Sequence, residues 1–211
     1  MNIDKAVNVN FNAKVIGKEG KYLFVETIAI DRKGNEYGTE HTMELGKGMK
    51  ASKGDYVHVE GTVGLNEDGE NVITASKLAL WPSEPTDLRM NAWIVGEAAS
   101  NFIEPKSIED IGGDRKPFGV ASIKLGNRFQ RGIVFNQLIP TFRKNLKAGA
   151  IFRMAGRLQY RTYVANDQTE KTIMEIVCDN NYTEVLKAST KKNPFAFSEE
   201  DVMAGLKKVE A

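Results

Sequence analysis

The chain has 211 residues, 41% hydrophobic and 27% charged, with 29 Lys and Arg against 28 Asp and Glu. Such a balance fits one large or two small folded domains, and no apolar run approaches the roughly 18 residues that a membrane span needs. The opening MNIDKAVNVN has no signal-type apolar core and the single cysteine, Cys178, cannot close an internal disulfide, so a cytoplasmic location is expected.

From Val7 to Val15 every second residue is apolar (Val7, Val9, Phe11, Ala13, Val15), the period of a strand with one buried face. Gly17 to Lys21 reads as a turn, Tyr22 to Ile30 as a second strand, residues 31–35 as a hairpin turn and Tyr37 to Leu45 as the partner strand. After a glycine-containing loop, KGDYVHVEGTV (Lys53 to Val63) is a fourth strand, Asn66 to Asn71 a turn, and Val72 to Leu80 a fifth strand. Five short strands without a helical period predict a small barrel or sandwich. WPSEPTD, Trp81 to Asp87, contains two of the six prolines, and a linker is placed there, at 83–89.

The pattern then restarts. Asn91 to Glu97 is a strand and Ala98 to Pro117 a long polar insertion. Phe118 to Leu125 and Arg128 to Phe135 are strands joined by Gly126 and Asn127 as a two-residue hairpin. Leu138 to Leu146 is a short helix, Ala150 to Val164 a long strand, and Thr172 to Cys178 the closing strand, with Cys178 a small buried residue in it. Gly54 and Gly61 bracket one strand of the first half, and Gly149 and Gly156 bracket one of the second at the same spacing of seven; a lysine, Lys53 or Lys147, precedes each pair. Duplication of a five-stranded unit accounts for this with the fewest assumptions. The expected fold is all-β: two tandem five-stranded barrels, 1–82 and 90–186, followed by a tail at 187–211 in which Ser198 and the acids after it start a short helix.

Charge separates the halves. Residues 1–87 carry 10 basic and 14 acidic groups, whereas 88–186 carry 14 and 10. Within the second half, Arg115 to Asn166 contains eleven Lys or Arg and no Asp or Glu, interleaved with Phe118, Phe129, Phe135, Phe142, Phe152, Tyr160 and Tyr163. A one-sign run of this length points to an anionic partner, and basic groups mixed with aromatic rings suit unpaired nucleic acid, whose phosphates attract the cations and whose bases stack on the rings. Alternation on the strand after Gly149 puts Phe152, Met154, Leu158 and Tyr160 on one face, read as core, and Arg153, Arg157, Gln159, Arg161 and Tyr163 on the other, read as a binding surface. On the preceding strand Phe129, Arg131, Ile133 and Phe135 share a face; parity alone leaves the inside open there, and we take Phe129, Arg131 and Phe135 as outward. Lys124 and Arg128, beside the hairpin turn, complete the candidate contacts.

MNAWIVGEA, RFQRGIVFNQL, NLKAGAIFRMAGRLQYRTYV and TIMEIVCDN together resemble the oligonucleotide-binding fold of bacterial and phage single-stranded DNA-binding proteins, over roughly residues 90–182. The resemblance implies that Phe129, Phe135 and Tyr163 stack on bases and that Arg131 and Arg161 are basic contacts. It also implies a cytoplasmic protein of a bacterial cell or phage-infected host, acting in replication, recombination and repair without cofactor or metal, and a homodimer as one assembly. The segment FAFSEED in the tail is the candidate for recruiting replication or recombination proteins. Two other readings stand beside this one, an RNA-binding protein and an assembly scaffold whose acidic first half binds protein. A hydrolase is disfavoured. His41 and His58 fall in alternating strands and read as surface or edge residues, Glu67, Asp68 and Glu70 sit at a hairpin tip as solvated turn residues, and no metal-hydrolase or phosphate-loop motif is present.

Overall fold

In the computed structural model, which describes residues 3–30, 34–66, 70–104, 117–126, 128–135, 137–164 and 168–189, the opening alternation becomes β1 (Val7–Glu19). Val7, Val9, Phe11, Ala13 and Val15 are all buried, and the asparagines between them face outward. β2 (Tyr22–Ile30), β3 (Glu36–Glu44), β4 (Tyr56–Leu65) and β5 (Asn71–Trp81) follow. β1 pairs with β2 and β2 with β3, both antiparallel; β3 pairs with β5 in parallel, and β5 returns through β4 to β1. A sheet edge exposes unpaired N–H and C=O groups, and a circuit of pairings that returns to its first strand leaves few of them.

The second half follows the same order. β6 (Met90–Glu97), β7 (Phe118–Leu125), β8 (Arg128–Phe135), β9 (Ile151–Val164) and β10 (Glu170–Cys178) pair as β6 with β9, β9 with β10, β10 with β8 in parallel, and β8 with β7. Ala98, just beyond β6, bridges back to Ile123 on β7. Helix α1 (Leu138–Asn145) lies between β8 and β9, with Leu138, Ile139 and Phe142 buried. The Phe142 ring lies 6.0 Å from Phe152 and 5.8 Å from Phe102. Each fully buried ring of this kind contributes about 1.5–3 kcal/mol. The sequence reading missed one strand, β11 (Glu184–Lys187), which pairs with β9; four residues are too few for alternation to register. The acids Glu67 and Asp68, most of the insertion and the expected tail helix lie outside the described residues.

The two glycine pairs do the same work in each half. Gly54 and Gly149 have φ of 97° and 83°, a left-handed conformation that costs an L-residue about 1–2 kcal/mol. A Cβ on Gly61 would run into the carbonyl oxygen of Thr74, and one on Gly156 into that of Val177, because the neighbouring strand crosses closely at both places. Gly61→Ala is therefore expected to lower the unfolding free energy by about 1–3 kcal/mol in urea denaturation, the usual cost of overpacking.

The halves are not separate bodies joined only by chain. β1 pairs with β6 (Asn8 with Trp93, Val9 with Ala92, Asn10 with Asn91, Phe11 with Met90), so one sheet runs through both. The proline-containing stretch between them is tied down. Ile28 donates its N–H to the carbonyl of Leu88 at 3.0 Å, and the Asn12 amide donates to the carbonyl of Asp87 at 2.9 Å.

Candidate nucleic-acid interface

Pairing across four strands brings residues distant in sequence into rows on one outer face. Ser122 on β7 lies opposite Arg131 on β8, Arg131 opposite Glu175 on β10, and Glu175 opposite Gln159 on β9. Neighbouring rows bring Lys124 beside Phe129, and Phe118 beside Phe135. Phe129 is 66% exposed, while Phe135 is half-buried with its ring 6.2 Å from that of Phe118. The other side of β8 is interior: Val134 is fully buried, and buried Gln130 donates its amide to the carbonyls of Arg131 and Met174. β8 therefore turns Phe129, Arg131 and Phe135 outward, although Ile133 on the same face is covered.

On β9 the alternation separates as the sequence indicates, with Phe152, Met154 and Leu158 buried and Tyr160 mostly so. Arg157 and Gln159 are half-buried and Arg161 exposed on the opposite side, next to the row that contains Arg131. Lys124 is exposed on this face beside Phe129; Arg128 is exposed at the hairpin end, one position out of phase with Phe129. Arg153 stands apart, toward the start of β9, where its guanidinium pairs with Glu184 and donates from Nε to the carbonyl of Tyr182 at 2.9 Å. Tyr163 belongs to β9, opposite Lys171, but its side chain lies outside the described part.

The run of eleven cations is not without counter-charge once folded, and this corrects the sequence reading. Glu175, only 1% exposed, lies beneath Arg131 and Arg161. The Arg131 Nε is 2.9 Å from one carboxylate oxygen but its N–H points past it, so charge rather than a hydrogen bond holds that pair. Arg161 donates to both oxygens at 3.3 and 3.4 Å, and the Gln159 amide reaches one of them at 3.4 Å. Arg157 in turn donates to the Gln159 amide oxygen at 3.4 Å. Elsewhere, Glu104 pairs with Arg143 at 2.7 Å. These acids come from sequence positions outside the run, where counting charges along the chain cannot reach them. One signal for Glu175 was legible: in TIMEIVC a single carboxylate sits among apolar strand residues, and such a group needs a cationic partner. The result is two guanidinium groups oriented by a shared buried carboxylate and still 37% and 45% exposed to an incoming anion.

Of the other titratable groups, His41 departs from the reading given it. His41 is not a surface residue. It is buried, 5.5 Å from the Tyr160 ring of the other half and 6.3 Å from Phe11, because β3 turns it toward the seam between the halves. His58 is half-buried, with Nδ1 2.8 Å from Oδ1 of Asn12. Cys178 is buried as expected, and burial pushes its thiol up to about 12. Among the described residues no group of three His, Cys, Asp or Glu is arranged to hold a metal ion, and no helix is long and apolar enough to cross a membrane.

The fold is similar to that of the wild-type single-stranded DNA binding protein from Thermus aquaticus. The two align with a TM-score of 0.62 and 13% sequence identity, over 88% of this chain and 95% of that one. A deletion mutant of the same protein aligns at 0.56 and 14%, over 90% and 96%. No family model matches the sequence, and no curated protein matches it.

Proposed function

We propose that this protein binds single-stranded DNA with little regard to sequence, through the outer face of β7, β8, β10 and β9, and shields it during replication, recombination and repair. The observation that carries the reading is the convergence of Phe129 and Phe135 with Arg131, Arg161, Arg157 and Gln159 on that one face, from strands separated by up to some thirty positions in sequence. Rings that stack on any base and cations that follow the phosphates give affinity without a sequence code. The likeness to the Thermus aquaticus protein over most of both chains supports it. So does the repeated strand order of the two halves, which we take as two oligonucleotide-binding barrels, 1–82 and 90–186, joined by a linker at 83–89. The role is one of binding, with no bond made or broken. The tail at 187–211 is the candidate for recruiting replication or recombination proteins, and a homodimer would present four barrels.

Titration of a labelled oligothymidylate at several salt concentrations tests the reading. Four cations on the face, Lys124, Arg131, Arg157 and Arg161, give a slope of log affinity against log salt of about −3, at roughly 0.7 per phosphate neutralised on a single strand. A flat response, or no binding at low salt, would overturn it.

A further inference from the structure

We propose that the cleft where the two halves of the sheet meet is a second stretch of the single-strand track, one that holds bases by stacking more than it holds phosphates by charge. The proposal rests on the single-strand reading above and extends it. The cleft encloses about 1010 Å³ and is lined from both halves, by Tyr37 on β3, Arg89 and Trp93 at β6, Arg153 and Arg157 on β9, and Tyr182 in the turn before β11.

Its rings are held out on backbone that has little freedom. Trp93 lies mid-sheet, paired to Asn8 on β1 and Ala155 on β9, yet is 37% exposed. Tyr182 is 62% exposed in a turn fastened by the Thr183 N–H to the Asp179 carbonyl at 3.0 Å, and Arg153 donates to its carbonyl. Large rings fixed toward water from a rigid frame suit a flat ligand, since little conformational entropy remains to be lost when a base stacks on them.

The charges here are largely spoken for. Arg89 is paired with Asp87 at 2.8 Å, Arg153 with Glu184, and Asp179 also lines the cleft. Arg157 meets an amide oxygen instead of a carboxylate. It is also the link: it lines the cleft and adjoins Gln159 on the outer face, so a strand leaving that face past Arg157 enters the cleft without crossing the rim of the sheet.

An oligothymidylate of about 8 nucleotides covers one barrel, and one of about 30 spans both. Tyr182→Ala in the full chain is expected to weaken binding of the long oligomer about ten-fold, leaving the short one and the salt slope unchanged. In a Trp81→Phe background, where Trp93 is the only tryptophan left, the long oligomer is expected to quench the emission. Unchanged affinity at both lengths with unmoved Trp93 emission would overturn the proposal. So would a dimer by light scattering that Tyr182→Ala converts to monomer with DNA affinity intact, since the cleft would then face a second copy of the chain. If the unaltered protein binds neither oligomer, the single-strand reading itself falls, a result distinct from either of these.

Discussion

Replacing Arg131 and Arg161 together by Ala is expected to lower stability by about 3 kcal/mol at pH 7 and to flatten the salt slope of oligothymidylate binding by about 1.4. The stability loss comes from Glu175, 1% exposed in the native protein, which would lose both cationic partners. Orphaning a fully buried carboxylate costs about 3–5 kcal/mol, and the lower end applies here because deleting two half-exposed side chains lets water reach the site. The binding loss comes from the removal of two phosphate contacts, at roughly 0.7 in slope for each. The two effects separate by adding Glu175→Gln to the double variant. Urea denaturation should then return most of the stability, while the salt slope stays reduced by about 1.4. Recovery of both together would mean that the arginines serve the fold alone. Glu175→Gln by itself should steepen the slope relative to the native protein, since the two arginines would no longer share their charge with a carboxylate.

Lowering the pH from 7 to 4 is expected to remove about 3 kcal/mol of stability through His41 alone. Its ring is enclosed by Phe11 and Tyr160, Nε2 lies 2.8 Å from the Thr27 hydroxyl, and Nδ1 is buried without a hydrogen-bond partner. Burial pushes its pKa down to about 4, whereas in the unfolded chain it titrates near its ordinary 6.5. Between these values the unfolded state binds the proton and the folded state does not, so falling pH favours unfolding. The contribution is absent above about 6.5 and complete near 4. Tyr160, pushed up to about 12 by burial, stays neutral throughout and does not mask it. His41→Gln keeps a hydrogen-bonding group near Thr27 without titrating, and its stability should fall about 3 kcal/mol less than that of the native protein across the same range in urea denaturation. Equal losses would show that acid acts elsewhere. Because Tyr160 comes from β9 and His41 from β3, protonation strikes at the seam between the halves, so both should lose structure in one transition.

Much of the fold was legible because strands announce themselves locally. Val7, Val9 and Phe11, or Phe152, Met154 and Leu158, face the core wherever the strand is placed, since alternation fixes the side of each residue before any partner is known. Gly54 and Gly149 were equally readable, as each meets the demand of its own turn, whereas Gly61 and Gly156 answer to a neighbouring strand and showed in the sequence only as a matching spacing. The outward Arg157, Gln159 and Arg161 on β9 followed from the same parity. What alternation cannot supply is pairing: nothing within β8, β9 or β10 says that Arg131, Glu175 and Gln159 share a row. The uninterrupted run of cations therefore looked uncompensated, and His41, on an alternating strand, looked like an edge residue.

The sequence by itself determined where most of the strands run and which side of most of them meets water, because these depend on the period of a single strand and the needs of a single turn. Only the tertiary structure decided which cations are neutralised, that one sheet runs through both halves, and that Trp93 and Tyr182 line a shared cleft. Burial follows a period along the chain, whereas charge pairing and clefts depend on distances across it, and those exist only after the strands have found their neighbours.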